Sequence, residues 1–196
     1  ELYSDEVLVD TKEISVTFYE KENNKLAYLD KEWALSNMSV NIGQLSYSTT
    51  KTHDLFNACV LYTSSNDFSD LTIKNIVIND LSSYNSLFFY IYNDSNDMLV
   101  HFLNNDIEWN PYTLKGGEWT LIELRKNADG DFVAVGFDGN VRVAINEANT
   151  TNLGNIRLVF QYEDFNTSVK NVYISPVFVR SLPEVILDLP EKVETN

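Results

Sequence analysis

Between residues 14 and 179 the apolar residues of this 196-residue chain recur at every second position, in short runs rich in Val, Ile, Tyr and Phe. A period of two belongs to strands with one face against a core, because successive side chains of an extended backbone point to opposite sides. The runs fall at 14–18, 38–47, 58–63, 71–78, 86–92, 99–103, 119–125, 132–137, 141–145, 156–162 and 169–179. Asn, Asp, Ser and Gly separate them, residues that suit tight turns. Eleven short strands at this spacing predict an all-β fold, a two-sheet antiparallel β-sandwich. The helix-forming stretch at residues 31–36 has too few turns to stand alone.

Three connections read as hairpin turns joining antiparallel neighbours: residues 93–97 (NDSND), 127–131 (NADGD) and 138–140 (DGN). After Arg180 two prolines, Pro183 and Pro190, replace the alternation. Residues 7–180 are therefore expected to form one domain and residues 181–196 a linker toward a further domain of a longer protein. The alternative for that tail is a C-terminal strand. No repeat of fixed period is present.

The net charge of −15 argues against a nucleic-acid partner, which needs clustered Lys and Arg to displace phosphate counterions, and against anionic lipid. Apolar residues at 44% and charged residues at 22% are the proportions of a globular domain able to bury a core. The lone cysteine, Cys59, permits no internal bridge, and its apolar strand suggests a buried, inert thiol. No run approaches the eighteen or so apolar residues of a membrane-spanning helix, so no membrane insertion is expected.

Parity assigns faces. Leu87, Phe89 and Ile91 belong between the sheets, with Phe88, Tyr90 and Tyr92 on the opposite side. Ile122 and Leu124 point inward, Leu121, Glu123 and Arg125 outward; Ile156, Leu158 and Phe160 inward, Arg157, Val159 and Gln161 outward. If these strands share a sheet, its outer face displays tyrosines, arginines and a glutamine together. Such a face suits sugars, which present apolar C–H faces to aromatic rings and hydroxyls to planar hydrogen-bonding groups. Trp109 and Tyr112, on a polar loop stopped by Pro111, could extend the platform, whereas Trp119 at the start of a strand is expected to pack in the core.

The segment Asn79-Asp80-Leu81-Ser82-Ser83-Tyr84-Asn85-Ser86-Leu87-Phe88-Phe89-Tyr90-Ile91-Tyr92-Asn93 resembles a recurrent feature of carbohydrate-binding modules with the galactose-binding-like jelly-roll fold. Asp80, Ser82, Tyr84, Leu87, Phe89, Tyr92 and Asn93 fall at comparable places. Leu114-Lys115-Gly116-Gly117-Glu118-Trp119 is similar to that family's "Leu-x-x-Gly-x-Trp" lead-in to a strand, and Leu153-Gly154-Asn155-Ile156 with Val172-Tyr173-Ile174-Ser175 to its closing strands. The resemblance spans residues 70–180. It implies a jelly roll and a non-catalytic, glycan-binding role in a secreted or cell-surface bacterial protein, extracellular in location. It departs at Val9-Asp10-Thr11-Lys12, a poor match to the family's opening, and at Asn171, where an Asp is common. No cofactor is required on this reading, and structural calcium is left as an option.

Catalysis has weaker support. Glu108, Glu118, Glu123, Glu147 and Glu163 lie in or near strands, but the Glu-x-Asp-x-x-Glu pattern of jelly-roll glucanases is absent. His53 and His101 are too few for a catalytic metal, and no nucleophile elbow or phosphate-cradling loop occurs. Oxygen-rich turns such as 127–131 could offer calcium ligands, yet read first as turns. The expected ligand contacts are Tyr90, Tyr92, Trp109, Tyr112, Arg125, Arg157 and Gln161. The competing expectations are a spacer or interaction domain that binds no sugar and a small jelly-roll glycanase.

Overall fold

The computed structural model describes residues 2–4, 7–10, 15–19, 24–27, 32, 36–65, 68–74, 86–104, 107–108, 111–126, 132–137, 140–144, 155–162, 170–180 and 184–188. In chain order its strands are β1 (Leu2–Ser4), β2 (Val7–Asp10), β3 (Ser15–Tyr19), β4 (Asn24–Ala27), β5 (Met38–Val40), β6 (Gln44–Ser48) and β7 (Cys59–Ser64). Next come β8 (Phe68–Lys74), β9 (Ser86–Asn93), β10 (Met98–Asn104), β11 (Ile107–Glu108), β12 (Tyr112–Leu114) and β13 (Trp119–Lys126). The last six are β14 (Phe132–Phe137), β15 (Asn140–Ala144), β16 (Asn155–Tyr162), β17 (Lys170–Ile174), β18 (Val177–Arg180) and β19 (Glu184–Asp188). Residues 32 and 36–37 are helical.

Two large sheets carry the architecture. The smaller is ordered β11-β10-β16-β8-β5, with β12 also on β10. The larger is ordered β15-β14-β13-β9-β17-β7-β6, with β18 added to β9 and β4 to β18. Their ladders are antiparallel throughout. Leu87, Phe89, Ile91, Ile122 and Leu124 of the larger sheet and Val100, Phe102, Leu158 and Phe160 of the smaller are fully buried in one shared core. Tyr62 and Phe160, one from each sheet, meet there with ring centroids 5.9 Å apart. The chain is therefore the expected all-β, two-sheet sandwich of jelly-roll type, and the parity reading of these strands holds.

Three connections differ from the sequence reading. Residues 93–97 do not close a hairpin: β9 lies in the larger sheet and β10 in the smaller, so this turn carries the chain between sheets. The run 38–47 is likewise two strands in different sheets, β5 and β6, joined through Gly43 at φ +115°. The run 169–179 breaks at Ser175-Pro176 into β17 and β18, which lie one after the other along the same side of β9. Pro176 has no N–H for a ladder. At the break Tyr90 N donates to Ser175 Oγ at 2.8 Å and Ser175 N donates to Tyr90 O at 3.0 Å, so β9 stays paired. The expected hairpin partners β13–β14 and β14–β15 are antiparallel neighbours; residues 127–131 and 138–139 of their turns lie outside the described set, and Asn140 opens β15 opposite Phe137. Within the tail read as a linker, residues 184–188 form β19 and pair with β3.

The 93–97 turn is clasped from both sides. Asn93, almost fully buried, donates through Nδ2 to Asn96 O and Leu114 O and accepts from Ser95 N. Asp97 accepts from Lys115 Nζ at 2.7 Å and from Gly116 N at 2.8 Å, and these two donors hold its carboxyl below its ordinary pKa of 3.8. A depressed pKa contributes stability above the unfolded-state value and loses it as pH falls through the folded-state value. Asp97→Asn is thus expected to lower the melting temperature slightly at neutral pH and to coincide with the parent at pH values well below the ordinary carboxylate range. Melting curves across that range check this, and a difference independent of pH would contradict it.

Candidate functional site

The side of the larger sheet that faces away from the core carries a strip of aromatic and charged groups in cross-strand rows. Trp119, Tyr92 and Tyr173 stand side by side on β13, β9 and β17. Their rings meet edge to face, Tyr92 lying 5.3 Å from Trp119 and 6.1 Å from Tyr173. Leu121 and Tyr90 form the next row, Glu123, Phe88 and Phe178 the third, and Arg125, Ser86 and Arg180 the fourth. Phe88 and Phe178 stack at 5.2 Å. Alternation produces this strip: every member is the outward neighbour of a residue buried between the sheets.

A loop from β6 to β7 roofs the aromatic end. His53 N donates to Phe56 O at 3.0 Å and Phe56 N to His53 O at 2.9 Å, which pins a tight turn. The His53 ring lies 4.5 Å from Tyr90, and Phe56 lies 5.0 Å from Trp119 and 6.2 Å from Phe178. Trp119 Nε1 donates to Thr52 O at 3.2 Å. Lys51 reaches over the Tyr92 ring at 4.3 Å, donates to the Tyr92 hydroxyl and pairs with Asp94 at 2.9 Å. Asp94 first and the Tyr92 hydroxyl second hold its ammonium above the usual lysine pKa. Beneath the loop, buried Cys59 donates weakly to Ser48 O and Lys51 O, and burial pushes its thiol up to about 11. It is the inert thiol the sequence suggested. Residues 24–27 extend the sheet edge beside β18.

The opposite end of the strip is electrostatic. The Glu123 carboxylate, 2% exposed, accepts two hydrogen bonds on Oε2 from Arg125, Nε at 3.0 Å and Nη2 at 2.9 Å. Arg180 Nη1 is 3.6 Å from Oε1, and the Arg180 guanidinium lies 4.5 Å from the centre of the Phe88 ring. A carboxylate this deep is tolerable only when paired.

The structure brings Tyr90, Tyr92 and Arg125 together on this one face. Arg157 and Gln161 do not join them: β16 belongs to the smaller sheet, so both point away from the core on the other side of the sandwich, where Gln161 Oε1 meets His101 Nε2 at 3.3 Å. Tyr112 stacks on Phe137 at 4.3 Å and packs against the inter-sheet core, which removes it from the platform. Trp119 is on the outer face rather than in the inter-sheet core, packed under the loop. Trp109 lies outside the described residues. Sequence reasoning does not bring Lys51, His53, Phe56, Phe178 or Arg180 to this face; it places Glu123 outward, where the structure has it, but not its burial under the two arginines. The proximity of Lys51, His53 and Phe56 in a stretch without alternation was the available signal. Among the described residues no group of three or more His, Cys, Asp or Glu could hold a metal ion, and no helix is long and apolar enough to cross a membrane.

No family model matches the chain, and no curated protein matches it. Solved structures do resemble it. An exo-β-agarase aligns with 79% of this chain at 14% identity and a TM-score of 0.51, a match that takes up 23% of the agarase. A family 11 carbohydrate-binding module from Clostridium thermocellum, in complex with a β-1,3-1,4-mixed-linked tetrasaccharide, aligns with 74% of this chain and 89% of its own, at 14% identity and a TM-score of 0.38. A CBM4 structure aligns with 78% of this chain and 94% of its own, at 11% identity and a TM-score of 0.37. At 14% identity the likeness to the agarase is one of fold.

Proposed function

We propose that this domain is a non-catalytic carbohydrate-binding module of a secreted or cell-surface bacterial protein, holding a glycan along the outer face of the larger sheet. The observation that carries the reading is the strip itself, in which half-buried Tyr92, Trp119 and Tyr90 run into Arg125 and Arg180 on adjacent strands. Rings of that kind offer stacking surfaces and the guanidiniums offer planar donors to hydroxyl oxygens. The sequence resemblance points the same way, and the fold is shared with part of an exo-β-agarase. Glycoside hydrolysis needs two facing carboxyl groups roughly 5–9.5 Å apart. On this face Glu123 pairs with Phe88, while Asp94 follows six residues further on, just past the end of β9, about 20 Å away at ~3.4 Å per residue. That pair is too far apart to act together across one glycosidic bond.

A spacer domain is the second reading, and the loop over Tyr90 and Trp119 favours it, because a permanently roofed platform offers little to a sugar. A glycan-array screen with and without calcium, followed by calorimetry on the hits, decides between them. Binding is expected to one glycan class, with Tyr92→Ala about tenfold weaker, the effect of roughly 1.4 kcal/mol for one lost stacking contact. Trp109→Ala belongs in the same panel as an expected contact. Arg157→Ala and Gln161→Ala, on the opposite sheet, should bind as the parent does. Silence across the array would favour the spacer.

A further inference from the structure

The charged end of the strip contains two buried oxygens without a hydrogen-bond donor. Glu123 Oε1 receives none, since Arg180 at 3.6 Å is beyond hydrogen-bond reach and Arg125 is spent on Oε2. Ser86 Oγ, in a side chain with no exposed area, has no partner either. Both sit on the outer face. Ser86 alternates with core Leu87, and Glu123 with core Ile122 and Leu124. Ser86 is directly opposite Arg125 on one side and Arg180 on the other, while Glu123 is opposite Phe88, two residues along. The unsatisfied oxygens are therefore diagonal neighbours beneath two guanidiniums that are 30% and 31% exposed. Buried polar atoms are almost always paired, so two orphans in one patch mark a place where something supplies the donors.

We propose that Ser86, Glu123 and Arg180 form a subsite for one unit of a neutral, hydroxyl-rich sugar. This rests on the glycan-binding reading. The Arg180 guanidinium is stacked over Phe88 and lies 3.6 Å from Glu123 Oε1, an ion pair without a hydrogen bond, so it is free to turn toward the sugar. A ligand hydroxyl then donates to Glu123 Oε1, its neighbour donates to Ser86 Oγ, and Arg180 donates to a ring or hydroxyl oxygen. Glu123 Oε1 lacks a donor, which a hydroxyl provides and a carboxylate or sulfate does not, and the Ser86 hydroxyl can exchange either role with a second sugar hydroxyl. An acidic sugar would also place its charge against the Glu123 carboxylate in a chain of net charge −15.

The test is calorimetric titration of the parent, Ser86→Ala and Glu123→Gln with six probes. Four are neutral: cellohexaose, xylohexaose, neoagarohexaose and a β-1,3-1,4-mixed-linked glucan tetrasaccharide. Two are acidic: hexagalacturonate and a sulfated carrageenan hexasaccharide. The parent should bind at least one neutral probe and neither acidic one. Ser86→Ala should bind it three- to tenfold more weakly while melting no lower than the parent, since it removes an unsatisfied hydroxyl. A purely structural role cannot produce that combination. Glu123→Gln should lose at least tenfold; should it fail to fold, Ser86→Ala decides alone. Unchanged affinity in Ser86→Ala, or tighter binding of the acidic probes, overturns the subsite and leaves the glycan reading standing. No binding to any of the six overturns both.

Discussion

Gly43→Ala is expected to cost about 3 kcal/mol or more of unfolding free energy, a large part of what holds a domain of this size together. Gly43 turns the chain from β5 in one sheet to β6 in the other at φ +115°, where side-chain-bearing residues rarely go. A Cβ there would lie 2.4 Å from Thr63 O and 2.8 Å from Tyr62 Cε2. Neither neighbour can give way: Thr63 O is backbone of β7, and the fully buried Tyr62 is tethered by its hydroxyl to Ile42 O. Gly117, also at positive φ (+83°), has nothing within 4 Å of the corresponding position, so Gly117→Ala should cost only about 1 kcal/mol. Urea unfolding of the two variants separates backbone conformation from collision, and equal losses would refute the collision.

Phe160→Ala is expected to remove about 3–5 kcal/mol, because the ring is fully buried at the middle of β16 and its loss leaves a cavity between the sheets. Denaturant midpoints with unchanged slopes would measure it, and a loss under about 1 kcal/mol would mean that the two sheets collapse onto the gap. Tyr62 links the two predictions. It faces Phe160 across the core, and its ring is the one that a methyl group added at Gly43 would strike. With Phe160 truncated, Tyr62 gains room to retreat, so the double variant should lose less than the sum of the single losses.

Alternation told which side chains would be buried, and Leu87, Phe89, Ile91, Ile122, Leu124, Leu158 and Phe160 all lie where it assigned them. It could not tell which sheet a strand would enter. A turn of Asn, Asp and Ser reverses the chain equally well within a sheet or between sheets, so 93–97 looked like a hairpin. For the same reason parity alone groups Arg157 and Gln161 with Tyr90 and Tyr92: it gives their outward direction and not their sheet. The platform's two tyrosines and Arg125 were legible because β9 and β13 are paired neighbours. Its roof was not, because residues 51–56 carry no periodic pattern and are ordered by contacts to Tyr90, Trp119 and Asp94 made only in the folded chain. Glu123 reads as an exposed strand carboxylate until Arg180, from a strand far later in the chain, closes over it.

Strand order also sets when the molecule can come together. In the smaller sheet β16 lies between β10 and β8, and in the larger β17 lies between β9 and β7. Each is the seam that joins an early half of its sheet to a later one, and both come from the last quarter of the chain. A nascent chain that has emerged only as far as residue 150 therefore holds the strands of two half-sandwiches, β5 and β8 with β6 and β7 on one hand and β10 to β12 with β9 and β13 to β15 on the other, with open edges where the seams belong. Such edges pair readily with other chains. Synthesis of this protein thus passes through a stage in which most of the strands exist but neither sheet can be closed, and the two seams, emerging in quick succession, complete both sheets nearly at once.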